Sequence, residues 1–213
     1  MLTAAYRRGI FPWPIEDLPT WWSPDPRAVL RLDRLHVSRS LRRTLRRAGL
    51  VCTSDVAFAD VVDACARGRT EGTWVTDELA AAVGALHRAP RDGVAAHSIE
   101  VWDAAGALVG GLYGLAVGGV FSGESMFHRV SDASKVALVD LVRRLTAAGA
   151  ALVDVQLPTD HLASLGAEEL PRAAFLATLA RWRDVTVRWP SGTWVPGEDD
   201  AGLRALTTRR REA

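Results

Sequence analysis

The alternation of apolar runs and turn residues predicts two hairpins in the middle of the chain. Residues 97–127 contain apolar runs of strand length, separated by turn residues at 104–106 and 118–119. Small residues and glycines between strand-like runs are typical of tight turns, so each pair of runs is expected to fold back on itself. A small β-sheet is therefore the predicted centre of the protein.

After the hairpins, apolar residues recur at helical spacing and predict a helix over 132–149. A strand is predicted at 151–157, and shorter helices are predicted near 160–165 and 171–182. Hairpin strands followed by a helix, another strand and further helices indicate an α/β or α+β fold.

The first half of the chain is predicted to contribute one strand and three helices. The strand covers 29–32, and the helices cover 38–49, 56–66 and 76–88. Ser38 is a residue type that caps helix N-termini, and we expect it to cap the first of these helices.

Residues 1–28 are rich in proline and aromatic residues. Proline at this density excludes a long helix, so an extended aromatic lobe is expected there. The 213 residues fit one domain with a small appendage. We therefore expect a lobe at 1–28, a main domain at 29–197 and a C-terminal tail at 198–213.

Composition excludes several classes of protein. Hydrophobic residues make up 48% and charged residues 24% of the chain, which excludes a disordered chain. No apolar run approaches the roughly 20 residues of a membrane-spanning helix, and the N-terminus lacks the apolar region of a signal peptide. We therefore expect a cytoplasmic protein without a membrane partner. Cys52 and Cys65 lack disulfide-scaffold or zinc spacing, and neither a metal-ligand pattern nor a nucleotide-binding loop predicts a metal or cofactor.

Positive charge is concentrated at the front of the chain. The first 50 residues hold ten arginines against four acidic residues. Five of these arginines fall on one face of the predicted helix at 38–49, while Leu41 and Leu45 lie on another face. Guanidinium groups bind phosphate bidentately, so this basic stripe is a candidate phosphate-binding surface, and the alternative is a solvated helix face. The basic stripe consists of Arg39, Arg42, Arg43, Arg46 and Arg47.

Several short motifs together resemble the leucyl/phenylalanyl-tRNA–protein transferase family. The resemblance runs from about Tyr6 to Ala167, and Trp-Val-Pro at 194–196 echoes it weakly. Any one motif is weak, but their order and separation are specific. The motifs are FPW at 11–13, WWSPDPRAVL at 21–30, EGTWVT at 71–76, HSIEVW at 97–102, LVGGLYG at 108–114, FSGESMF at 121–127 and LVDVQLPTDHLASLGA at 152–167.

The resemblance implies a fold, an activity and partners. The implied fold is a domain like the GCN5-related acetyltransferases, preceded by a small N-terminal lobe that is shortened here. The implied reaction transfers Leu, Phe or Met from aminoacyl-tRNA to the N-terminal Arg or Lys of an acceptor protein, which marks that protein for N-degron proteolysis. The family uses no cofactor, and a monomer is the default oligomeric state.

Three polar residues match the family's catalytic positions. Asp154 and Gln156 sit two residues apart in a predicted strand, so both are expected on one face. The resemblance implies that Asp154 orients the amide of Gln156, whose oxygen faces the acceptor amine, and that Glu124 is an active-site carboxylate. The alternatives are an aspartate bonded to a loop beside an exposed glutamine, and a solvated glutamate at a strand end.

Aromatic and aliphatic residues complete the implied site. Trp13 and Trp74 match tryptophans that line the family's site and suit adenine stacking, although tryptophan beside proline is also a common packing residue. Leu141 and Leu145 stand where the family often has phenylalanine, so Leu or Met is expected to be the preferred donor. The alternative for the pocket residues is ordinary core. The predicted amino-acid pocket consists of Phe121, Met126, Leu138, Leu141 and Leu145.

Two other functions remain open from the sequence. An acyl-CoA-dependent N-acetyltransferase of the same fold needs a pyrophosphate loop at a helix start, and residues 129–135 contain none. A non-catalytic tRNA-binding module would use the basic stripe and tolerate loss of the catalytic residues.

Overall fold

A seven-stranded β-sheet with helices on both faces organises the computed structural model of this chain. Trp74 and the predicted tail after Glu198 lie outside the part of the chain that the structure describes. The described residues are 1–13, 20–47, 49–67 and 75–198.

The strands form a mostly antiparallel mixed sheet and a separate two-stranded ribbon. In chain order they are β1 Phe11–Pro12, β2 Trp21–Trp22, β3 Arg27–Arg31, β4 Val51–Ser54, β5 Val94–Trp102, β6 Leu108–Val117, β7 Val120–His128, β8 Leu152–Gln156 and β9 Glu168–Leu170. The main sheet has the order β4-β5-β6-β7-β8-β3-β9, and β1 pairs with β2. Only β7 and β8 run parallel among these pairs.

The helices cover the two faces of the sheet. In chain order they are α1 Leu2–Tyr6, α2 Arg39–Arg47, α3 Phe58–Arg67, α4 Asp77–Arg88, α5 Ala133–Ala147, α6 Asp160–Ser164 and α7 Arg172–Trp182. Gly110 of β6 faces Ala133 of α5, and the next residue, Gly111, faces Val61 of α3. Successive residues of a strand point to opposite faces, so α5 and α3 lie on opposite sides of the sheet.

Burial on both faces explains the nearly continuous apolar sequence of the central strands. One core joins the sheet to α2 and α5, and the other joins it to α3, α4 and α7. Leu152 of β8 belongs to the second core and its neighbour Val153 to the first. A strand covered on both sides needs apolar residues at successive positions.

The parallel strands β7 and β8 separate soon after they pair. Their pairing runs from Val120 opposite Leu152 to Ser122 opposite Asp154. Beyond that point β7 continues to His128 as a partner of β6, while β8 ends at Gln156 against β3. A wedge-shaped gap therefore opens between the two strands, and the candidate site lies in it.

Local patterns predicted the hairpins and the long helix correctly. Strands β5, β6 and β7 are joined at the expected turns, and α5 lies within the predicted helix over 132–149. The hydroxyl of Ser38 accepts a hydrogen bond from the Leu41 amide at 3.2 Å, which confirms the predicted cap.

Other elements were not predicted. Extended chain was expected at residues 1–28, but residues 2–6 form α1. A helix is possible there because the first proline of the chain is Pro12. The short strands β4 and β9 carry little pattern of their own and form by pairing with longer strands. The division of the chain after residue 28 falls within β3 and stays a prediction. None of the described helices has the length and apolar character that crossing a membrane requires.

The contact between β6 and α5 gives a stability prediction. A Cβ added at Gly110 would lie 2.5 Å from Cβ of Ala133. Because backbone on both sides must then move, Gly110→Ala should lower the free energy of unfolding by about 1–3 kcal/mol in urea. Gly84→Ala in α4 is the matched control, since its Cβ meets only the end of the Arg88 side chain, and it should be neutral or stabilising. Equal stability of both variants would contradict this packing.

Candidate active site

A cavity of about 260 Å³ occupies the gap between β7 and β8. Its apolar wall includes Met126, Leu138 and Leu141, three of the residues predicted to form the amino-acid pocket. Trp13, at the end of β1, also lines it. The cavity is thus mainly apolar, with a few polar groups at one side, as small-molecule sites usually are.

Phe121 and Leu145, the other predicted pocket residues, do not line this cavity. They line a separate cavity of about 830 Å³ beside the start of β7. The ring of Phe121 stacks on the ring of Trp189, with the two centroids 5.5 Å apart. Leu145 lies one helical turn beyond Leu141, and that turn carries it past the gap between the strands.

Glu124 reaches the cavity because it is the extra residue of a β-bulge. Its neighbours Gly123 and Ser125 pair with Gly114 and Tyr113, which are adjacent on β6, so Glu124 has no partner of its own on that strand. A bulge interrupts the alternation of side chains and re-aims the extra one.

A hydrogen bond connects the two sides of the gap. Nε2 of Gln156 donates to Oε1 of Glu124 at 2.9 Å. Both residues are buried, and both line the cavity. Because the amide nitrogen is engaged, the amide oxygen of Gln156 remains an acceptor for a ligand.

Asp154 lies behind the cavity rather than on its wall. Its carboxylate is 1% exposed and accepts hydrogen bonds from Nε and Nη2 of Arg27, each at 2.7 Å, and from the Ser122 hydroxyl at 2.9 Å. It also accepts the backbone N–H of Gln156 at 3.0 Å. Asp154 thus contacts Gln156, as expected, but through the backbone N–H; the side-chain amide of Gln156 bonds Glu124 instead.

The backbone at Gln156 explains why the side chains two residues apart do not share a face. Gln156 has a φ of 68°, in the left-handed region. The N–H of Leu157 bonds to the carbonyl of Val155 at 2.8 Å, which closes a γ-turn of the rare positive-φ type around Gln156. This turn ends β8 and breaks the strand alternation on which the prediction rested.

Burial raises the pKa of Glu124 to about 8. The nearby Asp154 carboxylate adds to the rise of this pKa, while contacts from Tyr6 and Gln156 oppose it. Neither the Tyr6 hydroxyl nor Oε2 of Glu124 completes a hydrogen bond among the described residues. Glu124 is therefore largely protonated at pH 7.

The basic stripe lies on α2, away from the two protein cores. Leu41 and Leu45 are 1% and 2% exposed and anchor the helix. The hydroxyl of Thr44 donates to Asp132 at 3.0 Å, which ties α2 to the start of α5, a wall of the cavity. The side chain of Arg47 lies outside the described residues. The exposed arginines of the stripe are Arg39, Arg42, Arg43 and Arg46.

Sequence reasoning missed Arg27 and Tyr6 as parts of the site. Arg27 closes the WWSPDPR motif and is followed by apolar strand residues. An arginine leading into a buried strand needs an acidic partner, and that signal could have linked it to Asp154. Tyr6 carried no signal beyond its place at the start of the motifs.

Comparisons with known proteins agree with the motifs. Residues 29–180 match the family model for leucyl/phenylalanyl-tRNA protein transferase, and residues 1–25 match that family's N-terminal domain. A leucyl/phenylalanyl-tRNA–protein transferase of Aromatoleum aromaticum is 56% identical over 184 residues, which cover 85% of this chain and 76% of the relative. Its counterpart in Stutzerimonas stutzeri is 55% identical over 186 residues, 86% of this chain and 80% of the relative.

A solved structure also aligns with the chain. The structure of L-PGS from Bacillus licheniformis covers 96% of this chain and 68% of its own, with a TM-score of 0.43 and 12% identity. The sequence relatives, at far higher identity, define the class: the chain is an aminoacyltransferase. It belongs to the leucyl/phenylalanyl-tRNA protein transferase family.

The raised pKa of Glu124 gives a prediction for stability. An unfolded glutamate titrates near pH 4.3, so between about 4.3 and 8 the folded state binds more protons than the unfolded state. Stability from this group therefore falls as pH rises through that range. Glu124→Gln removes this titration. The difference between the Tm of Glu124→Gln and the Tm of wild type should therefore become more positive from pH 5 to pH 8.5.

Thermal unfolding of both proteins across this range checks the prediction. Glu169→Gln, on the exposed strand β9, is the matched control. A Tm difference for Glu124→Gln that does not change with pH would show that Glu124 titrates normally.

Proposed function

We propose that this chain transfers leucine or phenylalanine from aminoacyl-tRNA to the N-terminal Arg or Lys of acceptor proteins. The observation that carries the proposal is the hydrogen-bonded Glu124–Gln156 pair in the wall of a mainly apolar cavity. An apolar cavity accommodates the donor side chain, and the polar pair meets the reacting amine. Family membership supports the same reaction.

The reaction is aminolysis of an ester. The acceptor α-amine attacks the carbonyl carbon, the bond to the tRNA ribose oxygen breaks, and the proton lost by the nitrogen ends on that oxygen. The ester is already activated, so positioning and charge stabilisation supply most of the rate without a covalent enzyme intermediate.

Gln156 and Glu124 have different roles toward the acceptor amine: Gln156 orients it, and Glu124 exchanges a proton with it. The amide oxygen of Gln156 accepts an N–H of the attacking amine and orients it. An amide is too weak a base to remove the proton unaided. Glu124, with a pKa of about 8, is matched to an α-amine of about 7.7–8.0, so it exchanges a proton with the incoming ammonium at little cost.

The tRNA is held at two places. Trp13 offers an aromatic face at the cavity for the terminal adenine, and Trp74 is its expected counterpart. The basic stripe on α2 binds backbone phosphates in a largely sequence-independent way. The link from Thr44 to Asp132 keeps this surface next to α5 and therefore next to the cavity.

Several finer points belong to the same proposal. Leu or Met is the preferred donor, because Leu141 makes its part of the cavity wall aliphatic. The domain at 29–197 has the arrangement of the GCN5-related acetyltransferases, supported by the separation of the parallel strands β7 and β8. Residues 1–28 and 198–213 are the lobe and the tail. The enzyme works as a monomer in the cytoplasm, where charged tRNA is available, and its product is an N-degron.

A transfer assay tests the function directly. Charged tRNA-Leu, tRNA-Met and tRNA-Phe are offered separately with a peptide that begins with Arg, and a peptide that begins with Asp is the control. Transfer to the first peptide only is expected, with kcat/KM higher for Leu and Met than for Phe. Acetylation of the same peptide from acetyl-CoA would favour the acetyltransferase, and binding of tRNA without transfer would favour a binding module.

Gln156→Ala tests the role of the amide. Positioned hydrogen bonds to a reacting group contribute about 2.7–4 kcal/mol, so kcat should fall by about 10²–10³ while tRNA affinity stays near wild type. Glu124→Gln should instead raise the KM for the cationic acceptor, with Glu169→Gln as control. Near wild-type turnover of Gln156→Ala would remove the amide from the mechanism.

The basic stripe gives a prediction for salt dependence. Replacing Arg42, Arg43 and Arg46 by Gln should weaken tRNA binding and flatten the plot of log Kd against log salt. The expected change in slope is about 0.7–0.9 for each phosphate that the variant no longer neutralises. A charge-matched control replaces three exposed arginines elsewhere, Arg88, Arg91 and Arg181. An unchanged slope in the first variant would show that the stripe is only a solvated face.

A further inference from the structure

Arg27 lies behind the candidate site and is joined to it through Asp154. It is 1% exposed, and Nε and Nη2 reach the two oxygens of Asp154 at 2.7 Å each. Nη1 donates to the carbonyl of Gly9 at 3.2 Å. This bidentate geometry fixes the plane of the carboxylate as well as its position.

Two aromatic rings hold the guanidinium in place. Its central carbon lies 4.7 Å from the ring centroid of Phe11 and 4.6 Å from that of Phe175. Arg27 thus connects the N-terminal segment, α7 and β8, three elements that are distant in sequence. A guanidinium packed against two rings and hydrogen-bonded along its edges has little freedom to reorient.

The Asp154 carboxylate transmits this position to Gln156. It accepts the backbone N–H of Gln156 at the entrance to the γ-turn. A left-handed backbone at a residue other than glycine is strained, so the surrounding contacts must hold it. The γ-turn places the side-chain amide nitrogen of Gln156 2.9 Å from Oε1 of Glu124.

We propose that Arg27 is a positioning residue for aminoacyl transfer: through Asp154 it holds Gln156 in its left-handed turn and so aims the amide across the gap at Glu124. The inference rests on the proposed function for its effect on turnover. Its structural part, the orientation of the Gln156 amide, stands independently of that function.

A role in stability alone does not account for this arrangement. Replacing a buried ion pair by apolar side chains of similar size is often neutral or stabilising, so such a pair is weak evidence for a purely structural purpose. Arg144 with Asp140 is a second buried pair, which holds the carbonyls of Pro190 and Gly192. It provides a comparison, because it is also a buried arginine–aspartate pair and does not line the cavity, although Asp140 is in addition bonded by Arg143 at 2.8 Å.

The sequence supplies a direct probe of the amide. Gln156 is the only glutamine, and the chain contains no asparagine. The side-chain NH₂ of Gln156 is therefore the only carboxamide signal in a ¹H–¹⁵N correlation spectrum of the protein. Its position reports the hydrogen bond to Glu124 without any assignment experiment.

The experiment compares Arg27→Met, the double variant Arg27→Met/Asp154→Leu and the control Arg144→Met. In both Arg27 variants the carboxamide signal should move toward that of a free glutamine side chain. The kcat per folded molecule should fall by about 10²–10³, while KM for charged tRNA changes little. The double variant leaves no unpaired buried charge, so it tests the inference even where Arg27→Met folds poorly.

Arg144→Met should leave both the carboxamide signal and kcat per folded molecule at wild-type values, whatever it does to Tm. A folded Arg27 variant with the wild-type carboxamide signal and the wild-type kcat would overturn the role of Arg27 and leave the proposed function intact. A wild-type chain that transfers no amino acid would overturn the proposed function and the effect on turnover. The carboxamide signal would then still decide whether Arg27 positions Gln156.

Discussion

The buried ion pair between Arg27 and Asp154 is the interaction on which the candidate site depends. Two charges removed from water are tolerated only when nearly every donor and acceptor is satisfied. Here Asp154 accepts four hydrogen bonds, and Arg27 packs against two aromatic rings. The N-terminal segment, β3, β8 and α7 must therefore all be in place before the site exists. Phe11 and Arg27 are therefore part of the structure that supports the candidate site.

A second constraint is the separation of β7 and β8. Parallel strands that stay paired leave no room for a ligand, whereas here the pairing ends at Ser122 and Asp154. Immediately beyond, β7 bulges at Glu124 and β8 turns at Gln156. Both irregularities direct polar side chains into the gap, and the hydrogen bond between them replaces the missing pairing of the strands. The site is thus made by interruptions of a regular sheet.

Local sequence patterns predicted the hairpins, α5 and the anchored face of α2, because each depends on residues close together in the chain. The motifs also singled out Glu124 and Gln156, which the structure brings together at the cavity. They did not predict the partner of Asp154, which is 127 residues away in sequence. Nor did they predict the orientation of Asp154, because strand alternation assumes a regular backbone. Leu145 was misplaced for a similar reason: helical spacing puts it on the face of Leu141 but does not say where the cavity ends.

The burial of Glu124 bears on how a cationic acceptor is selected. A bare buried carboxylate would attract every cation, but a carboxyl group with a pKa of about 8 is mostly neutral at pH 7. Under the proposed function, an ammonium entering the site stabilises the ionised form of Glu124, and the two groups then compete for one proton. Since their pKa values are close, the proton moves with little change in free energy. Binding of the charged acceptor and formation of the neutral, nucleophilic amine are therefore coupled in the same pair of groups.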